Sequence, residues 1–381
     1  MRRLLVFVCV VVFVDTMLFG VMIPLLPAYA DTFDLSKLQA GVLFGAYGAG
    51  AVLGGVPGGL VAARVGPKRA VIAGLILLGL ASFAFAAAGT PIALGVARFV
   101  QGFSSTMTWA GALAWITVGS PRSQRGQTLG LVFACAVAGA ITGPMFGAIA
   151  KAASIEVSFV VVGLLAVALA ATAALQRPAR RERLPAGGLP SALADPAFVA
   201  GLWLCTLPAF FFGVLDVLVP LALHDAGYGA FAIGTLFVVA GLAEIAVGPM
   251  AGRLSDRRGR VVPIQIALAC SAVAAVLLGL VTTPVPLMVV AVAGAVSFAS
   301  LYAPAMALIS DRAEAAGLGM ALAFGLMNTA WALGVVLGPM LGGGLAEAFG
   351  DALPYLLCAI LAACTLAAIL SRRRLRTPGV V

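Results

Sequence analysis

Long apolar runs follow one another along nearly the whole chain, separated by short links that contain glycine, proline or charged residues. A helix needs about 20 residues to cross the hydrocarbon core of a bilayer, and the runs have this length. The pattern predicts twelve helices, at 4–27, 39–63, 70–89, 91–118, 127–150, 156–175, 197–223, 230–252, 262–281, 285–308, 317–344 and 352–371. The predicted fold class is an all-α membrane protein.

The composition excludes several other classes of protein. Hydrophobic residues make up 62% of the chain and charged residues 10%, with a mean hydropathy of +1.14, whereas soluble proteins carry roughly 25% charged residues. The net charge of +9 does not indicate a nucleic-acid partner, because the arginines lie between apolar runs. The six cysteines lack metal-site spacing, and the single His224 offers no companion ligand, so neither a metal nor a cofactor is expected. Without a visible nucleophile–base pair or metal cluster, we do not expect an enzyme.

The first helix resembles a cleavable signal peptide, with Arg2 and Arg3 before an apolar run and Ala28-Tyr29-Ala30 after it. Asp15 and Pro24 interrupt that run, and cleavage would leave an odd number of spans. We therefore expect a retained first helix.

Lysines and arginines lie overwhelmingly on one side of the predicted topology. Twenty fall in the links on one side, only Lys37 and Lys151 fall on the other, and Arg98 lies within a helix. Positively charged links stay in the cytoplasm. The prediction is a multi-pass protein of the inner (cytoplasmic) membrane with both termini in the cytoplasm.

Two pairs of matching segments indicate a duplicated unit. The sequence GAITGPMFG at 139–147 matches GVVLGPMLGG at 334–343, and their prolines lie 195 positions apart. The links at 59–69 and 252–260 also match, with their second glycines 193 positions apart. We therefore predict six-helix bundles at 1–175 and 197–371, a cytoplasmic connector at 176–196 and a basic tail at 372–381.

The matched segments are predicted to take part in conformational change. Glycines at i and i+4 let a neighbouring helix approach closely, and a following proline bends the helix. Ordinary small-residue packing is the alternative. The predicted gating residues are Gly139, Gly143, Pro144, Gly147, Gly338 and Pro339 in the helices, and Gly59, Arg64, Gly66, Gly252, Asp256, Arg257 and Gly259 in and before the links.

Four ionisable residues fall within predicted helices: Asp15, Arg98, Asp216 and Glu244. A charge at mid-bilayer costs about 2.5–3.5 kcal/mol on insertion scales, so each needs a partner, a cavity or neutralisation. A carboxyl group that moves between apolar and cationic surroundings can carry a proton. We predict proton or substrate coupling by these four, with Arg98 and Asp216 paired in one state. Static ion pairs or structural hydrogen bonds are the alternatives.

The motifs resemble those of the major facilitator superfamily over essentially the whole chain. The two matched links are similar to its G-x-x-x-D-(R/K)-x-G-(R/K) signature, with Ala63 in place of the first aspartate. The segment 94–102 (LGVARFVQG) resembles its l-x-x-x-R-x-x-q-G element, and 139–147 resembles the element of its antiporters. The resemblance implies two pseudo-symmetric bundles around a central cavity and transport by alternating access.

Finer features are similar to the drug:proton antiporters, in the branch with vesicular amine transporters. Asp15 precedes Pro24 in helix one and Asp216 precedes Pro220 in helix seven, as in that branch. Tyr47 and Asn328 stand where that branch has a lysine and an aspartate, so an ion pair has been lost. The expected cavity candidates are Tyr47, Phe212, Tyr302 and Asn328.

The resemblance implies proton-coupled export of small lipophilic or cationic compounds. The expected partners are a small-molecule substrate, protons and the lipid bilayer, with the monomer as the functional unit. A proton symporter that imports a metabolite and a non-transporting membrane sensor or scaffold are the alternatives.

Overall fold

The computed structural model describes residues 2–119, 125–176, 188–259, 261–318 and 320–374, and these residues are almost entirely helical. The first six spans are formed by α1 (Arg2–Gly20) with α2 (Met22–Phe33), α3 (Lys37–Val65), α4 (Pro67–Ala86), α5 (Pro91–Gly119), α6 (Arg125–Ala153) and α7 (Ile155–Leu175). A short helix, α8 (Leu189–Ala194), follows. The last six spans are α9 (Pro196–Asp225), α10 (Ala230–Arg258), α11 (Val261–Leu280), α12 (Pro284–Ala299) with α13 (Tyr302–Ala315), α14 (Met320–Phe349) and α15 (Ala352–Arg374).

Eleven helical segments in the described part of the chain have the length and hydropathy of a membrane span. The twelfth span is α5, a 29-residue helix that packs between α3 and α4 and carries the buried Arg98. Large apolar side chains are exposed on the outer helices, as Leu164 and Val273 illustrate. Such surfaces are solvated by lipid and not by water. The fold is that of an all-α, multi-pass membrane protein, as the apolar pattern predicts.

Two of the predicted single helices are broken. The sequence pattern predicted uninterrupted helices at 4–27 and 285–308, but α1 ends at Gly20 and α12 ends at Ala299. In a continuous helix, the N–H of residue 24 would bond to the Gly20 carbonyl and the N–H of residue 304 to the Ser300 carbonyl. Both positions are occupied by proline, as Pro24 and Pro304. Proline has no N–H and its ring crowds that carbonyl. Both segments still have the length and hydropathy of one membrane span, so the predicted spans are confirmed and only their continuity as single helices was wrong.

Side-chain caps place the starts of several helices. At α3, Ser36 accepts from the Gln39 backbone N–H, and the Gln39 side chain accepts from the Ser36 N–H at 2.9 Å. This reciprocal pair satisfies two backbone donors that the helix itself leaves unbonded. Asp195 caps α9 in a simpler way, by accepting from Ala197 N–H.

The two groups of six spans repeat the same packing. In the first, α1 packs on α6 and α4 on α7; in the second, α9 packs on α14 and α11 on α15. The bundles meet along two helix pairs, α3 with α14 and α6 with α10. Two copies of one six-helix unit that pack against each other produce this pseudo-symmetric arrangement.

Parts of the predicted connector and tail lie outside the described residues. Residues 177–187 are among them, and the described remainder of the connector contains α8. At the other end, α15 continues to Arg374, and residues 375–381 are not described.

Candidate functional site: buried charges between two bundles

The break between α1 and α2 creates a polar point deep in the first bundle. The guanidinium of Arg98 on α5 donates to the Leu18 carbonyl at 2.9 Å and to the Phe19 carbonyl at 3.4 Å. A cation is favourable at the end of a helix, where the carbonyl dipoles are not compensated. Arg98 therefore holds α5 against the broken first span.

Arg98 is completely buried and has no carboxylate partner among the described residues. It also donates to Gln101 Oε1 at 3.1 Å, and its guanidinium lies 4.9 Å from the centre of the Tyr47 ring. Its Nε has no acceptor in the described part of the chain. The charge is stabilised by carbonyl oxygens, an amide and an aromatic face.

Asp15 lies on α1, one turn before the break, and is 2% exposed. One of its oxygens, Oδ2, accepts from Ser105 Oγ at 2.6 Å and from Trp109 Nε1 at 2.9 Å. Both donors are on α5. The phenol of Tyr47 lies within electrostatic range of Asp15 and beside Ser105. Asp15 is thus surrounded by neutral donors.

Asp216 occupies a different environment in the second bundle. It is 5% exposed, on α9, and no hydrogen-bond donor or cation pairs with it in the described ranges. The half-buried Glu244 of α10 acts on Asp216 electrostatically. Two acidic groups with no cation between them cannot both be ionised at low cost.

A chain of aromatic side chains connects the two buried centres. Tyr47, which faces Arg98, contacts Phe19 at 5.3 Å between ring centroids, and Phe19 contacts Trp331 of α14 at 5.5 Å. Trp331 lies beside Tyr302, whose ring stacks on Phe212 at 6.5 Å. Phe212 lies one turn before Asp216. The aromatic chain therefore crosses from the first bundle to the second.

Among the predicted cavity residues, Tyr47, Phe212 and Tyr302 lie in this aromatic chain, and Asn328 is half-buried on α14, one turn before Trp331. The predicted pair of Arg98 with Asp216 is not formed in this conformation: Arg98 bonds to the α1 carbonyls instead. Their pairing in another state stays a prediction.

Most glycines of the two matched helical elements face the first span of their own bundle. A Cβ at Gly139 or Gly143 would strike the backbone of α1, with Gly143 only 2.5 Å from the Met17 carbonyl oxygen, and a Cβ at Gly147 would strike the Val21 carbonyl in the break after α1. A Cβ at Gly338 would strike the Phe210 carbonyl of α9 in the same way. These glycines allow close packing within each bundle.

The two prolines of the same elements reach the other bundle. A Cβ on Gly20 or Gly213 would meet the ring of Pro144 or Pro339 within the bundle. On the opposite side, Gly234 and Gly41 of the other bundle face the carbonyls of Pro144 and Pro339. Each proline lies between two glycines, one from each bundle. The contact between the bundles is therefore repeated at the two matched prolines, as the sequence motif is.

The second glycine of each link adopts a conformation open mainly to glycine. Gly66 has φ +99° and Gly259 has φ +78°, and both end a helix and turn sharply into the next. Gly59 has open space around it, and Arg64 is exposed. Gly252, Asp256 and Arg257 lie in the final turns of α10, and their side chains fall outside the described part of the structure.

The bundles touch at one end and separate at the other. At the end that carries Lys37 and Asp351, three polar contacts join them: Lys37 with Asp351, Leu38 N–H with Glu347 at 2.9 Å, and His224 with Asp31 at 2.7 Å. The helices α3 and α14 remain in contact as far as Gly55 and Thr329, whereas Gly59 and Gly325, one turn further, have nothing within 4 Å of an added Cβ. The separated end is the one with most of the arginines, which we call the arginine-rich end.

Several of these groups were missed by the sequence reasoning. It gave no role to Ser105 and Trp109, because a serine and a tryptophan in an apolar run carry no charge signal. It treated His224 only as a metal ligand without companions, although His224 bridges the bundles. Asp15 and Ser105 are 90 residues apart in the sequence, so no helical periodicity could have predicted their hydrogen bond.

The ion pair of Lys37 and Asp351 provides a test of the closed end. Asp351→Asn will increase the fraction of molecules open at that end by up to about fivefold, because exposed pairs contribute roughly 0.2–1 kcal/mol. The fraction is measurable by electron–electron distance distributions between spin labels on the ends of α3 and α14. The exchanged pair Lys37→Asp with Asp351→Lys should return it to the wild-type value. Equal distributions in all three proteins would show that the pair does not hold this end closed.

A model of the Major Facilitator Superfamily matches residues 8–324. The chain belongs to this superfamily. Curated relatives are transporters. The chain is 28% identical to the MFS-type transporter ppzB of Metarhizium rileyi over 142 residues, which are 36% of this chain and 29% of that protein. It is 29% identical to the quinolone resistance protein NorA of Staphylococcus aureus over 148 residues, 39% of this chain and 38% of that protein. The matched segments thus span less than two fifths of these relatives.

Solved structures share the fold over nearly the full length. A bacterial homologue of the human lysosomal transporter Spinster, in an inward-facing and occupied conformation, superposes with a TM-score of 0.81 at 16% identity, over 98% of this chain and 97% of that one. The nucleoside transporter NupG superposes with a TM-score of 0.75 at 14% identity, over 97% and 99% of the two chains. At these identities the likeness concerns the fold alone.

Proposed function

We propose that the protein exports small lipophilic cations across the inner membrane in exchange for protons. The observation that carries this proposal is Asp216: a carboxyl group that is 95% shielded from solvent and has no cation or hydrogen-bond donor beside it in the described structure. An acidic group in that position needs either a proton or a positively charged ligand.

Exchange follows from that requirement. A proton and a cationic cargo that neutralise the same carboxylate exclude each other, so binding of one releases the other. Glu244, which influences Asp216 electrostatically from α10, offers a place for a second proton or a second positive group. If each opening of the site to one side allows this replacement, the proton gradient drives the cargo in the opposite direction.

The surroundings of Asp216 favour a lipophilic cation over an inorganic one. Phe212 and Tyr302 stack one turn away, and Trp331 of the same bundle lies beside them. Aromatic faces attract organic cations by about 0.5–2 kcal/mol each and also bury the apolar part of the molecule. Small inorganic ions would lose more hydration than these faces replace.

The direction of transport rests on the distribution of positive charge. If the arginine-rich end faces the cytoplasm, with both termini there, the conformation described here is open to the cytoplasm and closed on the outside. Cargo would then enter from the cytoplasm and leave outwards. The similarity to the quinolone resistance protein NorA supports export as well. The contacts between bundles are complete within one chain, which supports action as a monomer.

In this scheme the first bundle supplies the second proton site and the conformational control. Asp15 is a candidate proton carrier, and Arg98 is a fixed positive charge that links the broken first span to α5. A movement of α1 relative to α5 changes both environments at once. The glycine-lined contact of α1 with α6 carries that movement to α10 of the other bundle.

Transport by the purified protein in liposomes tests the proposal. With an acidic lumen, a fluorescent lipophilic cation such as ethidium should accumulate inside, and each cation taken up should release protons from the lumen. Exchange has this direction in either orientation of the protein. Accumulation that requires an alkaline lumen instead would indicate proton symport. Equal uptake after nigericin and valinomycin have removed the gradients, or no uptake beyond protein-free liposomes, would contradict proton-driven export.

A further inference from the structure

The two hydrogen bonds that Asp15 accepts from α5 are unusual in their arrangement. Ser105 and Trp109 are one helical turn apart on α5, and both donate to the same oxygen of Asp15, at 2.6 and 2.9 Å. The serine is 6% exposed and the carboxylate 2% exposed, and Trp109 is partly buried, so the carboxylate has little contact with water. We propose that Ser105 and Trp109 act as positioning residues that stabilise the charged form of Asp15 and thereby set the pH at which it exchanges its proton. This inference rests on the proposed proton-coupled function.

The chemistry of the two donors supports this role. A serine hydroxyl can donate or accept, but the indole N–H of tryptophan can only donate. A carboxylate accepts from both groups more strongly than a neutral carboxyl group does, because a hydrogen bond to a charged acceptor is roughly twice as strong as one to a neutral acceptor. The two donors therefore favour the ionised form of Asp15 over the protonated form. Protonation would loosen the contact of α1 with α5.

The remaining groups around Asp15 do not replace the two donors. From α3, the phenol of Tyr47 is within electrostatic range of Asp15. From α5, Arg98 directs its Nη atoms to Leu18, Phe19 and Gln101. From α6, the backbone at Gly139 packs against Thr16, next to Asp15. No ion pair of Asp15 occurs in the described part of the chain.

The two bonds to Asp15 also couple proton exchange to helix movement. Asp15 precedes the α1–α2 break by five residues, and Arg98, two turns before Ser105 on α5, holds the break itself. Loss of the Asp15 bonds would leave Arg98 as the main polar link between the first span and α5. Proton uptake thus favours a shift of α1, which is the helix that packs on the glycine face of α6.

The chain provides matched variants for the test. Ser105→Ala and Trp109→Phe each remove one donor and keep most of the side-chain volume. Ser104→Ala removes the neighbouring hydroxyl, which donates to the Gln101 carbonyl. Trp203→Phe removes an indole donor that bonds Thr365 in the second bundle. Ser105→Thr retains a hydroxyl at the proposed position.

The first measurement is the pH dependence of ethidium exchange in liposomes with equal pH on both sides. A hydrogen bond to a charged group is worth about one pH unit or more in proton affinity. Each of Ser105→Ala and Trp109→Phe should therefore move the midpoint of the profile about one unit to higher pH, and Ser105→Thr should restore the wild-type midpoint. Midpoints equal to those of Ser104→Ala and Trp203→Phe would overturn the inference.

The second measurement does not depend on transport. Infrared difference spectra of the detergent-solubilised protein during a pH titration should show a protonated-carboxyl band that is absent in Asp15→Asn and that titrates at higher pH in the two donor variants. If the wild type shows no proton-coupled exchange, the proposed function fails, but this titration still decides whether the two donors control Asp15. An unchanged titration in both variants would refute the inference whatever the transport result.

Discussion

Asp216→Asn will reduce proton-driven export by about tenfold or more while leaving the protein at least as stable as the wild type. The native side chain is a buried acid without a partner, and its ionisation there is costly. Asparagine has the same shape and no charge to neutralise. It removes the competition between proton and cargo at this carboxyl group, but it removes no hydrogen bond within the described structure. Loss of transport should therefore come without loss of melting temperature.

The control for this variant is Asp225→Asn, which changes an exposed aspartate at the end of the same helix. It should keep both transport and stability. Glu244→Gln should have an intermediate effect, because Glu244 is less buried and acts on Asp216 from a neighbouring helix. Full proton-driven export by Asp216→Asn at normal abundance would remove Asp216 from the mechanism and with it the main support for the proposed exchange.

Gly143→Leu will abolish exchange while the protein still inserts into the membrane. The added Cβ alone would stand 2.5 Å from the Met17 carbonyl oxygen and 3.0 Å from the Gly20 Cα atom, so α1 has to move away from α6. Overpacking of this kind costs about 1–3 kcal/mol, and each 1.4 kcal/mol changes the ratio of two conformations about tenfold. Gly338→Leu should act alike, since its Cβ would strike the Phe210 carbonyl at the matching place in the second bundle.

Gly95→Leu is the matched control, because a Cβ at Gly95 has nothing within 4 Å. Transport and the abundance of inserted protein should be measured for all three. A Gly143→Leu protein that exports cargo normally would show that close contact between α1 and α6 is not required. Equal losses in Gly95→Leu would instead indicate a general effect of leucine in these helices.

Prediction from the sequence was most accurate for features that depend only on the residues of a single helix. The twelve spans follow from hydropathy, and the duplicated segments follow from matching letters at a constant offset. The all-α membrane fold is confirmed: the described chain contains eleven helical segments with the length and hydropathy of a membrane span, and α5 is a further long helix. The matched glycines of the two halves make equivalent contacts. The helix breaks near Gly20 and Ser300 were not predicted, although Pro24 was recognised as an interruption of the first apolar run, because each segment was assigned as one span from its hydropathy.

Only part of the candidate site could be predicted from the sequence. Asp15, Arg98, Asp216 and Glu244 stand out in any sequence reading, since a charge in an apolar run is rare and costly. Their partners do not stand out. Arg98 is satisfied by main-chain carbonyls that every residue carries, and Asp15 by a serine and a tryptophan 90 and 94 positions away.

The sequence by itself determined that the chain spans a membrane, that it contains two copies of one unit and that a few charges lie within its helices, because each of these is a property of local composition and spacing. Only the tertiary structure decided which charge has donors and which has none, since that depends on helices brought together from distant parts of the chain. It also decided that Gly139, Gly143 and Gly338 pack within their own bundle, whereas Pro144 and Pro339 each contact both bundles. The helix that packs on a given face of another helix is known only once both helices are positioned in the tertiary structure.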